Sequence, residues 1–93
     1  MASYANEQNY SEMIAALQTF SSKVSESCEE MSSAGNECVD NMDGDPAAEK
    51  SNAKLQNSVG QIRESLSEVG KIISTMQDEL EDIRRAAAIA DSI

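Results

Sequence analysis

The sequence predicts an all-α fold, an antiparallel two-helix hairpin of coiled-coil type, and three observations carry that expectation. In the second half, Leu55, Val59, Ile62, Leu66, Val69, Ile73, Met76, Leu80, Ile83, Ala87 and Ala90 keep an unbroken four-three spacing. Such positions fall on one narrow helix face, the seam of a helix that packs on another helix. The first half carries a stripe in heptad register as well. Between the halves stands the chain's one strong turn signal, Asn41-Met42-Asp43-Gly44-Asp45-Pro46. These place helix one at about 6–41, the turn at 42–46 and helix two at about 47–90, in a single domain spanning residues 1–93.

Helix one is expected to bury Tyr10, Met13, Leu17, Phe20, Val24, Met31, Ala34 and Cys38, with Ser27 as the polar interruption of the stripe. A second, weaker stripe runs beside it at Ile14, Cys28, Gly35 and Met42. The turn follows from backbone chemistry. Gly44 can take the left-handed conformation that ends a helix, and Asp45 can cap the next one. Pro46 then occupies the first helical position, where its missing N–H is no loss.

Helix two follows with its seam, flanked by small or apolar residues at Ser58, Ser65, Ile72 and Ala86. Arms of about 35 residues would reach roughly 50 Å at 1.5 Å per residue, and one shared seam leaves their other faces in water. Small residues let helix axes approach closely, so pairing of two hairpins into a four-helix bundle is the expected assembly. Ordinary exposed surface is the alternative reading of these flanking positions.

Charge is uneven along the chain. Residues 1–49 hold ten acids and the single base Lys23, and residues 50–93 hold seven acids and six bases, for nets of −9 and −1. The acidic arm argues against nucleic acid and anionic membrane surfaces, both of which call for a basic face. It suits either a basic protein partner or simple solvation. Arg84 and Arg85 are expected to complement the dipole at the end of helix two, and Asp78, Glu79, Glu81 and Asp82 to form its solvated face. The stretch Met1 to Gln8 lacks the basic and apolar segments of a secretory signal peptide, and no apolar run approaches the ~18 residues of a membrane span.

Catalytic, cofactor and metal sites are all expected to be absent. The chain has no histidine, hence no imidazole base, and no glycine-rich phosphate loop or cysteine paired with a base. Asp40, Asp43, Asp45 and Glu49 do not follow the ligand order of a calcium loop. Ten residues apart on one helix, Cys28 and Cys38 would be separated by about 15 Å, too far for an internal disulfide, and with no histidine the usual zinc sets cannot be assembled. Cys38 reads as a small seam residue. A crosslink between chains through Cys28 would need an oxidising compartment.

The whole pattern, a short acidic chain with two amphipathic helices and an x-x-Gly turn at its middle, resembles the small WXG-type, early-secreted-antigen-like proteins of bacterial type VII secretion. The resemblance covers nearly the whole chain and rests on form more than motif. Met42-Asp43-Gly44 stands where that family has Trp-x-Gly, so the glycine matches and the tryptophan does not. The family's exported members carry an aromatic three positions before an acid, just after helix two; in Ala87-Ala88-Ile89-Ala90-Asp91 the acid Asp91 matches and Ala87 replaces the aromatic. Met42 replaces the rigid aromatic anchor flexibly, and Ala87 does not replace it.

The resemblance thus implies a targeting adaptor that binds the helical N-terminal domain of a larger exported effector, such as an LXG-type toxin. It implies location in the bacterial cytoplasm before export, or secretion without a cleaved signal peptide. Ile14, Cys28, Met42 and Ile72 are the expected partner-binding residues, with Met42, Gly44, Asp45 and Pro46 shaping the turn. Two further readings stay open: a WXG-like substrate secreted as a homodimer, and an unrelated structural coiled coil serving oligomerisation. Helical-hairpin form by itself does not choose among them.

Overall fold

A computed structural model describes residues 2–93, with side chains from residue 6 onward. The protein is an all-α helical hairpin of two helices, α1 (Ala2–Asn41) and α2 (Pro46–Ser92). Their contacts divide the chain into two compact units. Of the described residues, the open-end unit joins 2–21 to 68–93, and the turn-end unit is 22–67.

The turn is built by its own side chains. Helix α1 closes with the amide of Met42 donating to the carbonyl of Cys38 at 3.0 Å. Gly44 then takes the left-handed conformation (φ 82°), and Asp43 does so too (φ 41°), a position that aspartate tolerates better than most residues. Asp45 caps α2. Its Oδ1 accepts from the amides of Ala47 at 2.8 Å and Ala48 at 3.4 Å, which satisfies two donors that have no partner inside the helix. Pro46 is the first residue of α2, and the amide of Glu49 makes the first full helical bond, to the carbonyl of Asp45.

Helix α2 buries the expected stripe: Leu55 through Ala87 are buried or half-buried at every seam position, and only Ala90 is exposed. Helix α1 does not. Its seam runs through Tyr10, Ile14, Leu17, Ser21, Val24, Cys28, Ser32, Gly35 and Val39, with Glu7, Ser11 and Ser25 half-buried beside it, whereas Met13, Phe20, Met31, Ala34 and Cys38, expected in the seam, are exposed. The seam has turned one position along the chain, from 13, 20 and 34 to 14, 21 and 35. Two successive four-residue steps at 24, 28 and 32 then carry it onward to Val39, a stutter that locally unwinds the heptad. The selected stripe is the narrower of the two, rich in Ser, Cys and Gly.

Each unit has its own core. Ile14 and Leu80 are buried in the open-end unit and line one cleft together. Cys28 and Val59 are buried in the turn-end unit, Cys28 completely. A polar clasp joins the two helices there. Gln56 donates through Nε2 to the carbonyl of Ser32 at 3.0 Å and accepts from the Ser32 hydroxyl at 2.7 Å, and Asn52 Nδ2 donates to Asn36 Oδ1 at 3.0 Å. Gly35 permits this approach, because a Cβ there would collide with the Asn52 side chain and come within 2.8 Å of Leu55.

The basic pair near the end of α2 differs from expectation. The helix runs on to Ser92, and its last turn holds no basic residue, so Arg84 and Arg85 lie too far back to serve the dipole. Arg84 instead donates to Glu7 of α1 at 2.7 Å, while Arg85 pairs with Glu81 and Asp82 on its own helix.

Candidate partner-binding surfaces

Surfaces that could receive a partner follow from what the hairpin leaves uncovered. In the open-end unit, Met13 and Phe20 are 52% and 55% exposed although they stand two helical turns apart on one stripe of α1. Ile72 of α2 is 51% exposed in the same unit and stands four and seven residues before Met76 and Glu79, the α2 residues that line a cleft with Met13, which puts it on their stripe of the helix. Met13 also lines an open cleft of about 420 Å³ together with Asn9, Tyr10, Met76 and Glu79. The Tyr10 hydroxyl donates to Glu79 Oε2 at 2.6 Å. That bond, and then the carboxylate's charge, raises the phenol above its ordinary range by favouring the protonated form.

The turn-end unit has a groove of its own. It measures about 500 Å³ and is lined mostly by small and apolar residues, Ala34, Gly35, Cys38, Met42, Ala48 and Leu55 among them, together with Ser51 and Asn52. Met42 is 47% exposed, and the Cys38 thiol points its weak donor at the Met42 sulfur 3.7 Å away. A flexible thioether at the rim of a small-residue groove makes an adaptable apolar contact. Gly44 and Asp45 position it by ending α1 at Asn41.

The four residues expected to bind a partner therefore separate into two kinds. Ile14 and Cys28 face inward, inside the hairpin's own seam, and are covered by α2 or by their own helix. They took the place of Met13 and Ser27 when the seam turned by one position, Cys28 wholly covered and Ile14 reaching the surface only through the cleft it lines with Leu80. Met42 and Ile72 are on the surface, in different units. The flanking residues Ser58, Ser65 and Ala86 are exposed. Of the two positions matched to an export signal, Ala87 is half-buried in the seam and Asp91 is exposed.

Pattern reading missed Met13, Phe20 and Met31 as surface residues because their size marks them for the core. The pointer to them was one residue away: Ser21, Cys28 and Gly35, all small, alternate with Leu17 and Val24 at helical spacing, and a stripe of small residues admits a closer helix. Asn36, Asn52 and Gln56, polar residues near both seams, pointed the same way. Both cysteines are free thiols, Cys28 buried and Cys38 exposed. Among the described residues, no group of three or more Cys, Asp or Glu side chains is placed to hold a metal ion. No described helix is long and apolar enough to cross a membrane. No family model matches this sequence, and no curated protein or solved structure was found to be similar to it.

Proposed function

We propose that this chain is a non-enzymatic adaptor that binds the helical N-terminal domain of a larger exported protein, in the manner of the small WXG-like partners of type VII secretion. The observation that supports it most is the apolar side chains outside the hairpin's seam: Met13, Phe20 and Ile72 in one unit, Met31 and Met42 in the other. A hairpin that has used its own seam and still presents such residues has surface to give to further helices, and completing a helical bundle is the economical way to cover it. The turn Met42-Asp43-Gly44 adds the resemblance that directs the reading toward type VII substrates. The acidic charge, net −10, sets the partner apart from nucleic acid and anionic lipid.

Purification of the tagged chain from its native host, from cells and from culture supernatant, tests this reading. The expected result is a larger protein with a helical N-terminal domain at fixed stoichiometry, lost when Ile72→Glu is introduced and circular dichroism shows the hairpin still helical. Recovery of the chain alone as a dimer in the supernatant would replace the adaptor by a self-associating secreted substrate. Recovery alone inside cells as higher oligomers would replace both by a structural coiled coil.

A further inference from the structure

We infer that the face around Met13, Phe20 and Ile72 receives an amphipathic helix whose apolar seam is edged by lysine or arginine, rather than a second copy of this chain. The inference deepens the adaptor reading by naming the partner's chemistry, and it rests on that reading only for the partner's biological source. Two features of the open-end unit carry it. The first is spacing: Met13 and Phe20 are seven residues apart on α1, the repeat that a facing helix matches with its own heptad.

The second feature is charge. The basic side chains of the unit are Lys71, Arg84 and Arg85, and all three are engaged with acids of the same unit: Lys71 with Glu68, Arg84 with Glu7, and Arg85 with Glu81 and Asp82. The residues of this unit hold eight acids against those three bases, a net of −5. Glu79 borders the cleft that Met13 lines and Glu12 adjoins Met13 in sequence, and among the described residues neither is paired with a cation; Glu68, one turn before Ile72, is already held by Lys71. Lys23, one turn beyond Phe20, is the one base of α1. A second copy would bring the same surplus of negative charge to this face, and like charges facing one another oppose association. Basic residues at the edges of an incoming helix would meet the acids that lack a cation, steering the encounter while the apolar seam supplies the contact.

Three synthetic helical peptides test the inference with the full chain: a leucine-heptad peptide edged by lysine, the same peptide edged by glutamate, and a lysine-rich peptide of the same composition as the first with its heptad scrambled. The expected result is selective binding of the first. Its affinity should fall about tenfold or more with Phe20→Glu, a central apolar contact removed, and should weaken as salt is raised. Phe20 is more than half exposed, so the variant should keep its helical dichroism; Met13→Gln gives a second, milder test of the same face. Equal binding of the glutamate-edged peptide, or equal binding of the scrambled one, would overturn the inference. So would a dimer of the chain alone at micromolar concentration that Phe20→Glu dissociates, since the occupant would then be a second copy. The peptides read the face directly, so their failure beside a recovered larger partner would refute this surface and leave the adaptor role standing. Peptide binding without any such partner would do the reverse.

Discussion

The turn-end and open-end units use the same two helices and hold them by different means. The turn-end unit fixes their register with directional bonds: Asp45 caps α2, Gln56 clasps both the hydroxyl and the carbonyl of Ser32, and Gly35 admits Asn52 and Leu55 at close range. The open-end unit relies on Ile14 and Leu80 in its seam, bordered by the surface pairs Tyr10 to Glu79 and Glu7 to Arg84. Hydrogen bonds specify a position, whereas apolar contact rewards any good packing. One end of the hairpin thus has its register set by directional bonds between the helices, and the other chiefly by apolar packing.

The largest expected effect lies in the open-end core. Leu80→Ala removes one of the two buried apolar side chains there and should cost about 2–4 kcal/mol, within the usual range for a buried leucine. Chemical denaturation followed by far-ultraviolet dichroism measures it. A loss below about 1 kcal/mol, the range of ordinary surface changes, would mean that the open end contributes little to the hairpin, and the comparison would collapse to one stable unit.

Glycine substitutions sharpen the contrast, because the same change should have opposite signs in the two units. Gly35→Ala gains helix propensity but brings a methyl group against the ends of the Asn52 and Leu55 side chains; Leu55 can turn aside, whereas Asn52 moves only by giving up its bonds to Asn36 and Gln56, so a net loss of about 1 kcal/mol is expected. Gly70→Ala in the open-end unit meets nothing within 4 Å and should stabilise by about 0.5–1 kcal/mol. Thermal melts of the two variants beside the parent decide the matter. If both raise the melting temperature, the close approach at Gly35 is not a constraint on the fold.

The same contrast explains what could be read in advance. Helix α2 was legible because its seam is made of large aliphatic residues in one unbroken register, with charges elsewhere, so that a single face could be buried. Helix α1 carries two adjoining stripes. Hydrophobicity ranks Met13, Phe20 and Met31 above Ser21, Cys28 and Gly35, but pairing with α2 rewards closeness, and the smaller stripe won. Its selection leaves the Ser21 hydroxyl buried without a hydrogen-bond partner, a penalty that no hydropathy pattern anticipates. At the turn, Gly44, Asp45 and Pro46 were legible because each has one dominant backbone preference. The left-handed Asp43 was not, since aspartate only tolerates that region. The surface positions of Met42 and Ile72 followed from their distance from the seam, while Ile14 and Cys28 went astray with the register of α1.

The smallest effect concerns the edge of the open-end unit, and its sign can be worked out from the raised Tyr10 phenol. The hydrogen bond to Glu79 favours the protonated phenol in the folded chain, so its contribution is fully present below a free phenol's ordinary value of 10.0 and is lost as pH rises through the higher folded value. Tyr10→Phe should therefore lower stability slightly at neutral pH and remove part of the decline in alkaline solution. Glu79 and the bond itself lie in solvent, which limits both changes. Ultraviolet titration of the folded parent should show a phenol ionising above 10 that is missing in Tyr10→Phe. Stability profiles of parent and variant that stay parallel through this alkaline range would show that the bond does not join the helices in solution. The open end would then be held by its apolar seam and the Glu7 to Arg84 pair.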